Sequence, residues 1–133
     1  MSTNANYAIE IEKYAERHFI AGFRKKYKRA WDIIWKALEE EFRRIETLIG
    51  VNSFVETIFS SHEFLICKTE FRVAGTQESR HGSGNRCIIA VHKNERFVRV
   101  LLVYGKTDVR GPRETDWWQR AIRDNYADYT SCF

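Results

Sequence analysis

The sequence contains little of what marks linkers, disulfide frameworks or membrane spans. It has one proline and seven glycines in 133 residues, too few for a long flexible linker. Its three cysteines form no CxxC pair, and an odd count without a recognisable signal peptide favours a reducing cytosol. No apolar stretch approaches the roughly 20 residues of a membrane span. We therefore expect a soluble cytoplasmic protein, no membrane partner, and one domain over residues 1–133 with a loose terminus over residues 1–6.

Several motifs of catalysis and ligand binding are also missing. The four histidines have no metal-ligand spacing with the cysteines, which makes a zinc site an unfavourable interpretation. The nucleophile motif GxSxG, the phosphate loop GxxxxGK[ST] and the dinucleotide motif GxGxxG do not occur. We therefore expect neither a metal nor a cofactor.

The charge that is present is distributed unevenly. The composition, 44% apolar and 30% charged with a net charge of +4, is typical of a folded soluble protein. Residues 65–110 contain nine Lys or Arg against four Asp or Glu, whereas residues 30–64 contain three against seven. This segregation favours an anionic partner for the second half, although uneven surfaces also occur without one.

The first part of the chain has a helical pattern from Tyr7 to Ile49. From Trp31 onward, apolar residues recur at steps of three and four, as in an amphipathic helix, and Gly50 is a stop signal. Because about 43 residues are too many for one ordinary helix, we expect two helices in an antiparallel hairpin with a junction within 25–29. A short strand over residues 8–11 is an open alternative at the start, and residues 51–62 are ambiguous, with a short helical turn as one interpretation.

The second part alternates as strands do. Strands are predicted at 63–73, 88–91 and 98–104, with a polar loop at 74–85 and a final helix at 114–126. Sequential strands with short connections favour an antiparallel meander. We therefore expect an α+β fold in which an N-terminal helical hairpin packs on one face of a small antiparallel sheet, with a C-terminal helix.

Charged residues recur on one face of the predicted sheet. Lys68, Glu70 and Arg72 alternate along the first of these strands, and Arg86 shares a face with Ile88 in the next. One interpretation is an ordinary solvated face. The other is a cationic patch for phosphate, since arginine donates bidentately and keeps its charge.

Two further segments offer basic groups. Arg80 and His81 lie in the glycine-rich loop, where the histidine is either a titrating group near neutral pH or an ordinary exposed residue. The run "FRKKYKRAW" contains Arg24, Lys25 and Lys28 among aromatic side chains. Basic and aromatic groups together serve phosphate contact and base stacking, although the same run also fits a solvated helix end.

The segments "FRKKYKRAWDIIWKALEEEF", "KTEFR", "GNRCIIAV" and "VRVLLVYGKTDV" together resemble the RelE/ParE superfamily of toxins from bacterial type II toxin–antitoxin modules. The resemblance covers roughly residues 15–110. It implies a metal-independent mRNA endonuclease of the RelE-like branch, acting on free or ribosome-bound mRNA, or a gyrase poison of the ParE-like branch. It also implies a cognate antitoxin protein as partner.

The resemblance also implies roles for individual residues. Lys68 and Arg72 match basic positions of one family strand, Arg86 matches the arginine that opens the next, and Lys106 lies near a basic position after the last strand. Glu70 or His81 would serve as the base, and Arg24, Lys25, Lys28 and Arg80 would contact RNA.

An alternative interpretation is a non-catalytic module that binds nucleic acid or protein through the same surface. It is motivated by Thr107, which follows Lys106 where many family members have an arginine. In either case we expect a mainly acidic, partly disordered partner segment. We also expect Phe19, Phe23, Trp31 and Trp35 to stay partly exposed in the lone chain, because they exceed what one small sheet covers.

Overall fold

The protein has an α+β fold, described by a computed structural model over residues 6–52, 54–73 and 77–133. Most of the predicted loose terminus lies outside the described residues. The helices are α1 (Lys13–Ala15), a π-helical stretch (Glu16–Ile20), α2 (Ala21–Tyr27), α3 (Arg29–Arg43), α4 (Arg80–Ser83) and α5 (Glu114–Asn125). The strands are β1 (Ala8–Ile11), β2 (Val55–Ser60), β3 (Leu65–Phe71), β4 (Asn85–His92) and β5 (Phe97–Tyr104). Short 3-10 turns cover Ile45–Thr47, Lys106–Asp108 and Ala127–Cys132. No helix in the described part of the chain is long and apolar enough to cross a membrane.

The five strands form one mixed sheet in the order β1-β5-β4-β3-β2. From β2 to β5, each strand pairs antiparallel with the next one in sequence, so the predicted meander of β3, β4 and β5 is confirmed. The short strand considered at residues 8–11 is also present. It runs parallel to β5, with Ala8 opposite Phe97, so the prediction of a purely antiparallel sheet is wrong for this edge. The long stretch of chain between β1 and β5 supplies the crossover that a parallel pair requires.

Residues 55–60 form strand β2, and not the short helical turn considered for this ambiguous segment. Its residues include β-branched and aromatic side chains that suit a strand, but the segment is short and lacks clean alternation. It pairs with β3, and the register shifts between Thr57 and Phe59, which is a β-bulge. The strand therefore depends on a partner that lies later in the sequence, and local pattern alone could not reveal it.

The helical half breaks where the sequence predicted. Lys28 separates α2 from α3 with φ 52° and ψ −119°, a conformation that is strained for a residue with a side chain. Helix α3 buries one stripe, formed by Trp31, Ile34, Leu38 and Phe42, as its three- and four-residue spacing requires. The π-helical stretch before α2 was not anticipated.

Helical elements cover both faces of the sheet, which corrects the expectation that they cover one. On one face, Phe71 of β3 contacts Phe23 and Trp31, with ring centroids 5.8 and 6.4 Å away. On the other, the C-terminal region contacts β5, and Tyr104 lies 5.0 Å from Trp117 between ring centroids. The predicted exposure of Phe19, Phe23 and Trp31 is wrong because all three are buried, and Trp35 is half-buried. Phe23 and Trp31 also pack against each other, with ring centroids 5.2 Å apart, and Phe19 contacts Trp117 of α5 at 6.0 Å.

Candidate functional site

A cavity of about 360 Å³ opens on the face of the sheet that α5 partly covers. It brings together four of the six residues predicted to be catalytic. Its lining comprises Lys68, Glu70, His81 and Arg86 with Phe54, Glu56 and Glu114. A concave site with convergent ionisable groups is the usual place to look for binding or chemistry.

Strand pairing sets the floor of this cavity. Lys68 and Glu70 alternate on β3 and lie opposite Ile88 and Arg86 of β4, so their side chains project from the same face. His81 comes from α4, a single helical turn inside the segment predicted to be a loop. Ser79 caps this turn, since its hydroxyl accepts a hydrogen bond from the Gly82 amide at 2.9 Å.

Glu70 links the histidine to the arginine. Its Oε2 atom lies 2.6 Å from Nδ1 of His81 and 3.1 Å from Nη2 of Arg86. The Glu70 side chain is 16% exposed, whereas the His81 side chain is 85% exposed. The carboxylate therefore orients one edge of an imidazole that is otherwise open to solvent. Histidine serves as a base in arrangements of this kind.

Arg86 is anchored on several sides. Its side chain is 8% exposed, and its two terminal nitrogens donate to the backbone carbonyls of Asn85 and His81 at 3.1 and 3.2 Å. Its Nε atom is 3.9 Å from Oε2 of Glu114. Arg86 thus holds its position through main-chain and carboxylate contacts together, and it fixes Glu70 in turn.

Glu114 brings a buried tyrosine into this network. The Tyr104 hydroxyl donates to Oε2 of Glu114 at 2.7 Å. Burial raises the pKa of Tyr104 well above its usual value, and the hydrogen bond to the carboxylate raises the pKa further. The phenol therefore remains a protonated donor throughout the physiological range.

The cavity is close to charge balance, which differs from the cationic patch considered from the sequence. Lys68 lies 3.9 Å from Glu56 of β2. With Glu70 and Glu114, three carboxylates face the two permanent cations Lys68 and Arg86. Sequence reasoning missed Glu56 because β2 was not recognised, and it missed Glu114 because no local pattern connects α5 to β4.

The structure does not bring Arg72 and Lys106 into this cavity. Arg72 is exposed after the end of β3 and lines a different cavity beside α3. Arg80 lies there too, with Nη2 2.5 Å from a Glu41 carboxylate oxygen. Lys106 donates to the Gly82 carbonyl at 3.2 Å and lines a separate cavity beside α2.

The other residues predicted to contact RNA lie at the junction of α2 and α3. Arg24, Lys25 and Lys28 are exposed there and do not line the cavity. Arg24 is paired with Glu16 at 3.2 Å. Within residues 6–52, 54–73 and 77–133, neither lysine has an ion pair, so both remain available to an anionic partner.

No group of three or more His, Cys, Asp or Glu residues that could hold a metal ion occurs in the part of the chain that the structure describes. The chain matches no protein-family model and no curated protein.

Proposed function

We propose that this chain is a metal-independent endoribonuclease of the RelE/ParE-like kind, the toxin of a type II toxin–antitoxin pair acting on mRNA in the cytoplasm. The observation that carries the proposal is the Glu70–His81 pair, which shares one cavity with Arg86 and Lys68. A base held by a carboxylate beside fixed cations is what phosphodiester cleavage by an internal hydroxyl needs. A helical N-terminal part followed by the strands β3 to β5 is also what the family resemblance over residues 15–110 implies.

In the proposed reaction, the free ring nitrogen of His81 accepts the proton of an RNA 2′-hydroxyl. The 2′-oxygen forms a bond to the adjacent phosphorus while the bond from phosphorus to the 5′-oxygen breaks. The products are a 2′,3′-cyclic phosphate and a 5′-hydroxyl, whose proton comes from solvent. Glu70 stabilises the imidazolium that forms, as an orienting carboxylate does.

The two cations have different parts in this reaction. Lys68 is held by one long contact to Glu56 at 3.9 Å, so its ammonium is available to a nonbridging phosphate oxygen. Arg86 already donates to backbone carbonyls and contacts carboxylates, so it is a positioning residue that fixes Glu70. Preorganised charge of this kind is often the largest catalytic contribution.

The test is cleavage of a mixed-sequence RNA by the purified chain in the presence of EDTA. We expect His81→Gln and Glu70→Gln to lower the rate by about 10²-fold or more, because the first removes the general base and the second removes the carboxylate that orients it. His62→Gln is a matched control, since His62 is exposed and outside the cavity. Unchanged cleavage by both site variants, or cleavage that requires added Mg²⁺, would overturn the proposed chemistry.

The proposed partner is an antitoxin with an acidic segment that binds the exposed basic groups Lys25 and Lys28. The steering of such a segment by charge makes its affinity fall as salt rises. Calorimetric titration of the complex across ionic strength tests this. An affinity that does not change with salt would show that charge does not draw the partner to this surface. A small adjacent reading frame encoding a DNA-binding protein would identify the partner.

A second candidate function is non-catalytic binding of nucleic acid or protein, and the charge balance of the cavity favours it. Arg86 is occupied by carboxylates and carbonyls, so little free positive charge faces a phosphate. Expression of the chain is expected to arrest growth. If Lys68→Ala and Arg86→Ala arrest growth as strongly as wild type, this candidate or a gyrase target is favoured over RNA cleavage. A supercoiling assay with purified gyrase separates those two.

A further inference from the structure

A second cavity, of about 420 Å³, lies on the opposite face of the sheet from the first. Asn85 and Arg86 are consecutive in β4, so their side chains point to opposite faces, and Asn85 lines this second cavity. Its other walls come from the π-helical stretch, α2 and the 3-10 turn after β5. The first cavity's residues therefore have no part in its lining.

Aromatic rings form one wall of the second cavity. Phe23 and Tyr27 of α2 are stacked, with ring centroids 6.0 Å apart and planes 23° apart. Tyr27 is half-buried, and the Lys26 ammonium lies 5.1 Å from the centre of its ring. His18 adds an exposed ring from the π-helical stretch, a backbone form that is frequent at functional sites. Such a wall suits a flat, polarisable ligand.

The helix leaves space in front of this wall at one position. Gly22 of α2 lines the cavity, and a Cβ atom built there would meet no heavy atom within 4 Å. The opening is therefore wide enough to receive a larger group beside the rings. The same feature allows the cavity to be filled by substitution without a clash.

Asn85 supplies a polar side chain to the lining of the second cavity. The residue is 7% exposed, and its backbone is fixed by bonds to the Ser83 hydroxyl and to Arg86. Its carboxamide makes no hydrogen bond to any residue of the described ranges. A side chain at Gly105 would come within 2.9 Å of Asn85 Oδ1, so the glycine preserves the room around the amide. A carboxamide that makes no hydrogen bond within the described ranges can pair with a ligand through both its donor and its acceptor.

The charges around this cavity balance. Lys26 and Lys106 face Glu78 and Asp108, and the Asp108 carboxylate accepts the Gly105 amide at 2.8 Å. A free anion therefore gains little here. Stacking and paired hydrogen bonds remain as the interactions that recognise a ligand.

We propose that the second cavity binds a nucleobase, with adenine preferred. A carboxamide that offers a donor and an acceptor side by side matches the N6 and N7 edge of adenine. The half-buried Tyr27 ring and the exposed His18 ring provide the stacking surface, and the buried Phe23 ring supports Tyr27 from behind. The base belongs either to a free nucleotide or to an RNA strand.

The assignment of the bound base to an RNA strand rests on the proposed nuclease function. The one-turn helix α4 carries His81 to the first cavity and leads into Ser83 and Asn85 at the second. A strand that crosses this end of the sheet contacts both cavities. The second cavity would then select a base near the cleaved phosphate.

The test is calorimetric titration of the full chain with AMP, GMP, CMP and UMP, and with a short oligoadenylate. We expect AMP to bind most tightly. Gly22→Leu should weaken AMP binding about tenfold or more, since the leucine occupies the stacking space. Ala21→Leu is the matched control, because Ala21 is the exposed neighbour on the same helix and does not line the cavity. Asn85→Asp should move the preference from adenine toward cytosine, whose amino group donates to a carboxylate.

If oligoadenylate binds much more tightly than AMP, the base comes from an RNA strand. Equal affinities of the two ligands identify a free nucleotide as the source. Absence of binding by all four mononucleotides, or equal binding by wild type and Gly22→Leu, overturns this proposal. Circular dichroism confirms that each variant is folded. RNA cleavage without mononucleotide binding refutes only the proposed base site. Mononucleotide binding without RNA cleavage refutes only the proposed nuclease activity.

Discussion

Arg86→Met is the substitution that most directly tests the charged network beneath the candidate site. The side chain is 8% exposed and contacts Glu70, whose side chain is 16% exposed, and Glu114, whose side chain is 36% exposed. Removing one partner of a buried ion pair costs about 3–5 kcal/mol. The partial exposure of Glu114 places the expected loss near the lower end, at about 3 kcal/mol.

Urea unfolding at pH 7, followed by fluorescence, measures this loss as a change in the free energy of unfolding. For a chain of this size, about 1 kcal/mol shifts Tm by roughly 4 °C, so Arg86→Met should melt roughly 10 °C lower. Arg72→Met is a matched control, because Arg72 is exposed at the end of β3. It should stay within about 0.5 kcal/mol of wild type.

A double-mutant cycle with Glu70→Gln isolates the pair itself. The combined variant should recover about 1–3 kcal/mol relative to the sum of the single losses, since each single change leaves the other charge without its partner. An Arg86→Met variant as stable as Arg72→Met, or a cycle without coupling, would refute the reasoning that Arg86 holds Glu70 in place.

Lys28→Gly should stabilise the fold by about 1 kcal/mol in urea unfolding, because glycine adopts the positive φ of the helix junction without strain; a loss of stability would contradict this. Burial lowers the pKa of His92 below its usual 6.5. The folded state therefore binds fewer protons than the unfolded state, and stability falls as pH drops below about 6.5. His92→Gln should flatten that fall in a series of Tm measurements, and an unchanged slope would exclude His92 as its source. Native alkylation at pH 8 followed by mass spectrometry should label Cys132 first, because burial raises the pKa of Cys67 to about 11 and Cys87 is fully buried; equal labelling would contradict the packing of the sheet.

The parts of the fold that the sequence predicts are those in which local pattern and burial agree. Helix α3 shows its buried stripe in its spacing, and β3 to β5 show alternation interrupted by turn residues. The helix junction was placed within 25–29 from a polar run, although the break at Lys28 lacks the glycine that such a backbone favours. The parallel pairing of β1 depends on β5, far along the chain, and β2 lacks the alternation that would show it as the hairpin partner of β3. Local propensity therefore could not determine them.

The candidate site divides in the same way. Alternation along β3 was enough to place Lys68 and Glu70 on one face, whereas the alignment of Arg86 with Glu70 depends on the register of β4 against β3. The same argument assigned Arg72 to the group, but β3 ends at Phe71 and Arg72 leaves the sheet. Glu114 reaches the cavity only through the packing of α5. Its position, and with it the charge balance of the site, required the three-dimensional structure.

The chemistry of the cleaved RNA ends tests the central proposal most directly. A short RNA with one cleavage site, and the same RNA with a 2′-deoxy sugar at that position, are incubated with the chain in EDTA and examined by mass spectrometry. We expect 2′,3′-cyclic phosphate and 5′-hydroxyl ends from the first RNA and no cleavage products from the second. His81→Gln should give no cleavage products from either RNA. Cleavage of the deoxy substrate, or ends that carry a 5′-phosphate, would contradict attack by the 2′-hydroxyl and with it the role assigned to the Glu70–His81 pair.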